Sequence, residues 1–239
     1  MTTQHATPLR LSADYLGPRA TTTDGVPGPL RHKVSLTTQS RYARLLVLGR
    51  SATADTPAIM GLLAFADQLR IIWNASRADD PWADWWLIKI DDAIDLVQHR
   101  LETIATKIRR YLRAQPALEI DIATSERPYR IKLRFINPYA YRAAQLVAEF
   151  DAAVRTILTA RHVGLISEEQ SFRQIESCSA VLRSLFAIPQ SYRVLRIDRT
   201  AVKAGAPAAI SAAEIMGQVP AAILLGEQRP RLAPRKARS

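Results

Sequence analysis

The sequence predicts an α+β fold, mainly α with short β strands. A ribbon-helix-helix-like N-terminal element is embedded in a larger helical domain that carries a β-hairpin. Three observations predict it. Apolar residues recur at spacings of three and four over long stretches, which gathers them on one stripe of a helix. A few short stretches alternate apolar and polar residues with the period of two that a half-buried strand needs. Strands and helices do not alternate regularly, as they would in a doubly wound nucleotide fold.

The elements follow in order. Residues 1–29 are rich in Thr, Pro and Gly and read as a flexible N-terminal arm. In Arg31–Thr38, Val34 and Leu36 alternate with Lys33, Ser35 and Thr37, giving a strand with one apolar and one polar, basic face. Ser40 is placed to cap a helix over Arg41–Leu48, and Gly49 to end it. Pro57 is expected to open a second helix reaching about Asn74. Asp79-Asp80-Pro81-Trp82 breaks the pattern, and a long helix is expected from about Ala83 to Ala114. Its apolar positions Leu87, Ile90, Ile94, Val97, Leu101, Ile104, Ile108 and Tyr111 make a heptad seam, which packs on another helix in cis or across a dimer. Leu118, Ile120 and Ile122 alternate as one hairpin strand and Tyr129, Ile131, Leu133 and Phe135 as the next, with Arg130, Lys132 and Arg134 on its other face. Asn137 and Pro138 start a helix reaching about His162, and Ser167 with Gln170 forms a capping box for another ending near Phe186. A short strand over Tyr192–Ile197 and two short helices, about 199–205 and 207–216, complete the body.

These elements divide the chain into the arm 1–29, one globular domain 30–226 and a basic disordered tail 227–239. Within the domain, 30–75 is the ribbon-helix-helix-like DNA-binding part and 79–226 a helical body with a hairpin at 118–135. The formal charge is +11 over 239 residues. The tail contributes Arg229, Arg231, Arg235, Lys236 and Arg238; taking these five from the formal +11 leaves +6 before it, so the bias extends to the body. Such a field draws polyanions, nucleic acid first and anionic membrane second. No window approaches the apolar length of a membrane span, and the N-terminus lacks the pattern of a secretory signal. One cysteine, Cys178, fits a reducing compartment, and a cytoplasmic location is expected.

Nothing in the sequence assembles an active site. His5, His32, His99 and His162 form no metal-binding spacing, and no phosphate loop or nucleophile elbow is present. No enzymatic activity, cofactor, metal or small-molecule substrate is expected. Cys178 reads as a buried small residue. The acidic run Asp79, Asp80, Asp84, Asp91, Asp92 and Asp95 reads as a solvated face or a partner of the helix dipole.

The nucleic-acid candidate is the stretch Arg31–Ser51. In a ribbon-helix-helix dimer two short strands pair across the two-fold axis, and their polar face enters the major groove, which admits a two-stranded ribbon. Lys33, Ser35 and Thr37 then face the bases and Arg31 and Arg41 the phosphates. Gly49, Arg50 and Ser51 stand where a helix start clamps a phosphate. The bland alternative is an edge strand that merely covers the core. The face of Arg130, Lys132 and Arg134 is a second candidate, for duplex phosphates or for RNA.

Asp79–Leu87 (DDPWADWWL), Phe135–Tyr139 and Thr156–Leu165 resemble sequence blocks of the AcaB-like transcriptional regulators, carried by integrating conjugative elements and conjugative plasmids. The resemblance runs from about residue 30 to 225. It implies a ribbon-helix-helix DNA-binding protein that controls transfer genes, acts as a homodimer and takes double-stranded DNA as its partner. The alternative is a non-enzymatic assembly or accessory protein of the element with protein partners.

Overall fold

The protein is described by a computed structural model covering residues 34–116 and 118–236; the expected arm 1–29, together with Arg31 and Lys33, lies outside the described residues. The α+β class is as expected. Two strands, β1 (Val34–Thr38) and β2 (Tyr129–Leu133), accompany eight helices among the described residues. These are α1 (Arg41–Leu48), α2 (Leu62–Arg77), α3 (Pro81–Arg113), α4 (Pro138–His162), α5 (Glu168–Ala187), α6 (Arg199–Lys203), α7 (Pro207–Met216) and α8 (Ala221–Leu225).

Local chemistry sets most boundaries. The Ser40, Asp80 and Asn137 side chains accept backbone N–H groups at the starts of α1, α3 and α4. Ser167 and Gln170 complete the expected capping box of α5. Gly49 ends α1 with φ +73°. The second helix starts later than expected, because residues 50–59 close a loop first. Arg50 and Ile59 exchange two backbone hydrogen bonds of 2.9 and 2.8 Å. This brings Gly61, the N-cap of α2, onto the end of α1, where a Cβ on Gly61 would sit 2.3 Å from the Gly49 nitrogen.

Helices α3 and α4 form the centre, with α2 and α5 packed against them. The seam of α3 meets α4 of the same chain. Leu87, Ile90, Ile94, Val97, Leu101 and Ile108 are buried, Ile104 is half-buried, and Tyr111 is 45% exposed, the core contact there passing to Leu112. Buried alanines of α4 (Ala140, Ala143, Ala144, Ala153, Ala160) allow its backbone to approach closely. Trp82 and Trp86 anchor the C-terminal segments: their indole N–H groups donate to the carbonyls of Gly217 (2.9 Å) and Ile188 (3.2 Å).

Three local expectations are corrected. Leu118–Ile122 is not a strand, and β2 pairs instead with β1. Side chains engage this linker in place of a ladder: the Ala123 N–H donates to Thr159 Oγ1 (3.0 Å), its carbonyl accepts from Arg155 Nε (2.8 Å), and the Ser125 N–H donates to Gln39 Oε1 (2.8 Å). Tyr192–Ile197 has no strand partner; the Tyr192 hydroxyl donates to Asp80 (2.7 Å) and the Arg193 N–H points at the Met216 sulfur.

The third correction concerns the tail, which is docked through Lys236 rather than disordered. Arg229, Arg231 and Lys236 meet Asp84, Asp91, Asp95 and Asp79, so these carboxylates are ion-paired rather than a solvated face, while Asp92 is exposed. Asp84, 0% exposed, takes hydrogen bonds from Arg199 (2.5 Å), Arg229 (3.1 Å) and Ser76 (2.5 Å). Asp91 and Asp95 are shared by Arg142 and Arg231, and Asp79 by Arg199 and Lys236. The Leu232 N–H donates to the Tyr139 hydroxyl (3.1 Å), whose pKa burial pushes up to about 12. Oppositely charged residues far apart in sequence pair here, and their attraction and hydrogen bonds offset the desolvation that burial of Asp84 and Arg199 costs.

Candidate nucleic-acid interface

The two basic strands that the sequence offers as rivals are two halves of one ribbon. In the antiparallel register Ser35 stands opposite Lys132 and Thr37 opposite Arg130. Cross-strand partners share a face, and all four are exposed. The other face carries Leu36, Leu133 and Thr38, which are buried, with Val34, Ile131 and Tyr129 half-buried. The polar face thus presents two hydroxyls and two cations, with no acid on either strand. Arg134, exposed, follows directly after β2.

The ribbon is held to the body at the β1–α1 junction. The buried Asp151 carboxylate of α4 accepts the backbone N–H groups of Gln39 and Ser40, each at 2.8 Å. Sequence reasoning missed this residue; its signal is a lone carboxylate between Phe150 and the apolar run Ala152-Ala153-Val154. Beside the junction, the Arg44 guanidinium lies 5.5 Å from the centroid of the Tyr129 ring, within reach of a cation–π contact. Arg41 lies over Tyr42 at 5.0 Å and donates to its hydroxyl (3.2 Å).

Gly49, Arg50 and Ser51 lie at the far end of α1, about 12 Å from the ribbon at 1.5 Å per residue. Their geometry does not match a backbone phosphate clamp. The Gly49 N–H is taken by the Leu45 carbonyl (2.8 Å) and the Arg50 N–H by Ile59 (2.9 Å). The Arg50 guanidinium donates to the Pro57 carbonyl (3.1 Å) and, with Ser51 and Arg193, lines a hollow of about 540 Å³. This corner offers an anion the Arg50, Ser51 and Arg193 side chains rather than the Gly49 and Arg50 backbone donors.

No group of three His, Cys, Asp or Glu among the described residues is placed to hold a metal ion, and no helix among them is long and apolar enough to cross a membrane. Cys178 is fully buried, and burial pushes its thiol up to about 11. A thiol so raised and enclosed is a packing residue.

Comparison with known proteins gives a consistent picture. The family model described as "Transcriptional regulator AcaB" matches residues 26–236. A crystal structure of selenomethionine-containing AcaB from uropathogenic E. coli shares the fold, with a TM-score of 0.57 at 15% identity over 82% of this chain and 95% of that one. A search of curated proteins gives no match.

Proposed function

We propose that this chain, which belongs to the AcaB family of transcriptional regulators, binds duplex DNA as a dimer and controls transfer genes of a conjugative element. The observation that carries this reading is the solvated ribbon face, with Ser35 opposite Lys132 and Thr37 opposite Arg130. A two-stranded ribbon fits the major groove. There Arg130 and Lys132 donate to guanine O6 and N7, and the hydroxyls of Ser35 and Thr37 serve either partner of a base pair.

The dimer in this reading differs from one whose ribbon is built across a two-fold axis. Each chain carries a complete two-stranded ribbon, so a dimer presents two. Two-fold symmetry then asks for half-sites about one helical turn apart, or a multiple of that. Leu45 and Leu48, 56% and 43% exposed on α1, supply apolar area for the interface between copies.

The test is fluorescence anisotropy on labelled duplex tiles covering the promoters of the encoding element, against scrambled duplex over a salt series. One tile bound ~10³-fold better than scrambled DNA is expected. Ser35→Ala combined with Lys132→Gln should lower that preference by about 1–3 kcal/mol for each base that is no longer read. Equal weakening on target and scrambled DNA would remove the ribbon from the groove.

A further inference from the structure

We infer that the C-terminal end of α3 is a second nucleic-acid-binding surface, holding the phosphates of duplex that flanks the segment read by the ribbon. The inference rests on the duplex-binding reading above and adds a surface to it.

The charge on this molecule is not spread evenly. The first half of α3 and the turn before it hold Asp79, Asp80, Asp84, Asp91, Asp92 and Asp95. The cations that meet this run, Arg142, Arg199, Arg229, Arg231 and Lys236, are engaged in ion pairs. The second half of α3 is the reverse. From Leu96 to Leu118 the one acid is Glu102, against Arg100, Lys107, Arg109, Arg110 and Arg113. The side chains of Lys107, Arg109, Arg110 and Arg113 are exposed and make no ion pair or hydrogen bond among the described residues. Internal neutralisation at one end of the helix therefore leaves the positive excess at the other.

The spacing forms a surface. Thr106, Arg109, Arg110 and Arg113 stand at i, i+3, i+4 and i+7, on one helix face, and line a hollow of about 430 Å³. The stripe runs about 10 Å at 1.5 Å per residue, or roughly three base-pair steps at 3.4 Å each. The helix dipole accounts for some of these cations, but it amounts to only about half a negative charge. A lipid surface fits less well, because Ile108 and Leu112 beside the cations are buried in the core and Tyr111 alone of the large apolar side chains among them is exposed.

The stripe is separate from the basic ground beside the ribbon. Arg155 of α4 lines with Arg41 and Arg161 a hollow of about 600 Å³ beside the β1–α1 junction. Between that hollow and Arg109 stand Glu102 and Glu149, so the end of α3 would hold its own stretch of phosphates rather than extend a continuous basic track.

The test uses the full chain with Arg109→Gln, Arg110→Gln and Arg113→Gln combined, and duplexes of ~12 and ~30 base pairs sharing one centre. Anisotropy is read over a salt series. The wild type is expected to bind the longer duplex more tightly and with a steeper salt dependence. The triple variant should forfeit that advantage, its slope on the long duplex falling by about three, while its preference for target over scrambled sequence stays. Replacing the same three residues with Lys should restore the slope, and an unaltered circular-dichroism melt separates weaker binding from a failure to fold. An unchanged slope on the long duplex overturns the inference. So does an equal weakening on the short one, or a larger one on single strands or on anionic phosphatidylserine vesicles. If the wild type binds target and scrambled duplex alike, the ribbon reading fails while the slope still decides this one. If it binds no duplex, both fail.

Discussion

Asp84→Asn tests whether the docked tail and the charge cluster beneath it stabilise the fold. The carboxylate is fully buried and accepts from Arg199, Arg229 and Ser76. Asparagine keeps the volume, so no cavity forms, and its carbonyl still accepts one of these donors. What disappears is the charge opposite two guanidiniums, one of them, on Arg199, only 6% exposed. Removing one partner from a buried ion pair costs about 3–5 kcal/mol, mainly because the other charge is left uncompensated. Arg199 also pairs with Asp79, so the lower end, about 3 kcal/mol, is expected. For a chain of this size that is a fall in Tm of about 6–12 °C, read by circular dichroism or scanning fluorimetry. Adding Arg199→Met removes the stranded charge and should return part of the stability, a coupling that a double-mutant cycle measures. A single variant that melts within about 1 °C of the wild type would refute the reasoning, because the cluster would then contribute nothing net.

Three further outcomes are expected. Gly61→Ala should destabilise by about 2–3 kcal/mol in chemical denaturation, since the new Cβ meets backbone of α1 at 2.3–2.8 Å and backbone cannot step aside cheaply. Burial pushes the Asp79 carboxyl up, but hydrogen bonds and charge from Lys236 and Arg199 outweigh this and hold it below its ordinary 3.8. Asp95 is lowered likewise by Arg142 and Arg231 against the effect of burial. Groups with depressed folded pKa stabilise above their unfolded value and lose the contribution as pH falls through the folded one. Protection of residues 227–236 from amide exchange should therefore hold at pH 5 and fail progressively below about 4. Cys178, enclosed and raised to about 11, should react with a thiol reagent only as fast as the chain unfolds.

Much of the fold is legible in the sequence because it is encoded locally. Ser40, Asn137 with Pro138, and the Ser167–Gln170 box mark helix starts through bonds that span three residues, and the α3 seam announces its buried face by spacing alone. Alternation likewise marks both strands and their polar faces. It says nothing of the partner, and the nearest alternating stretch, Leu118–Ile122, is an obvious neighbour that the structure passes over for β1. For the same reason the candidate site shows in the sequence as two competing basic strands when it is one surface. The docked tail is illegible on similar grounds. Arg229 and Asp84 are 145 positions apart, and a basic tail beside a distant acidic helix reads as two solvated charges until the fold brings them to 3.1 Å.

The pairing of Val34–Thr38 with Tyr129–Leu133 has a consequence for how the protein is made. Local contacts form early and distant ones late, because loop-closure entropy must be met before distant contacts repay it. On the ribosome β1 waits for α1, α2 and all of α3 to be synthesised before its partner emerges. Until then it is an unpaired edge, open to other chains. The two-stranded ribbon is therefore among the last parts of the molecule to form. A nascent or truncated chain ending before Leu133 carries one strand and no ribbon, so on the duplex-binding proposal no partial product should compete for a specific sequence.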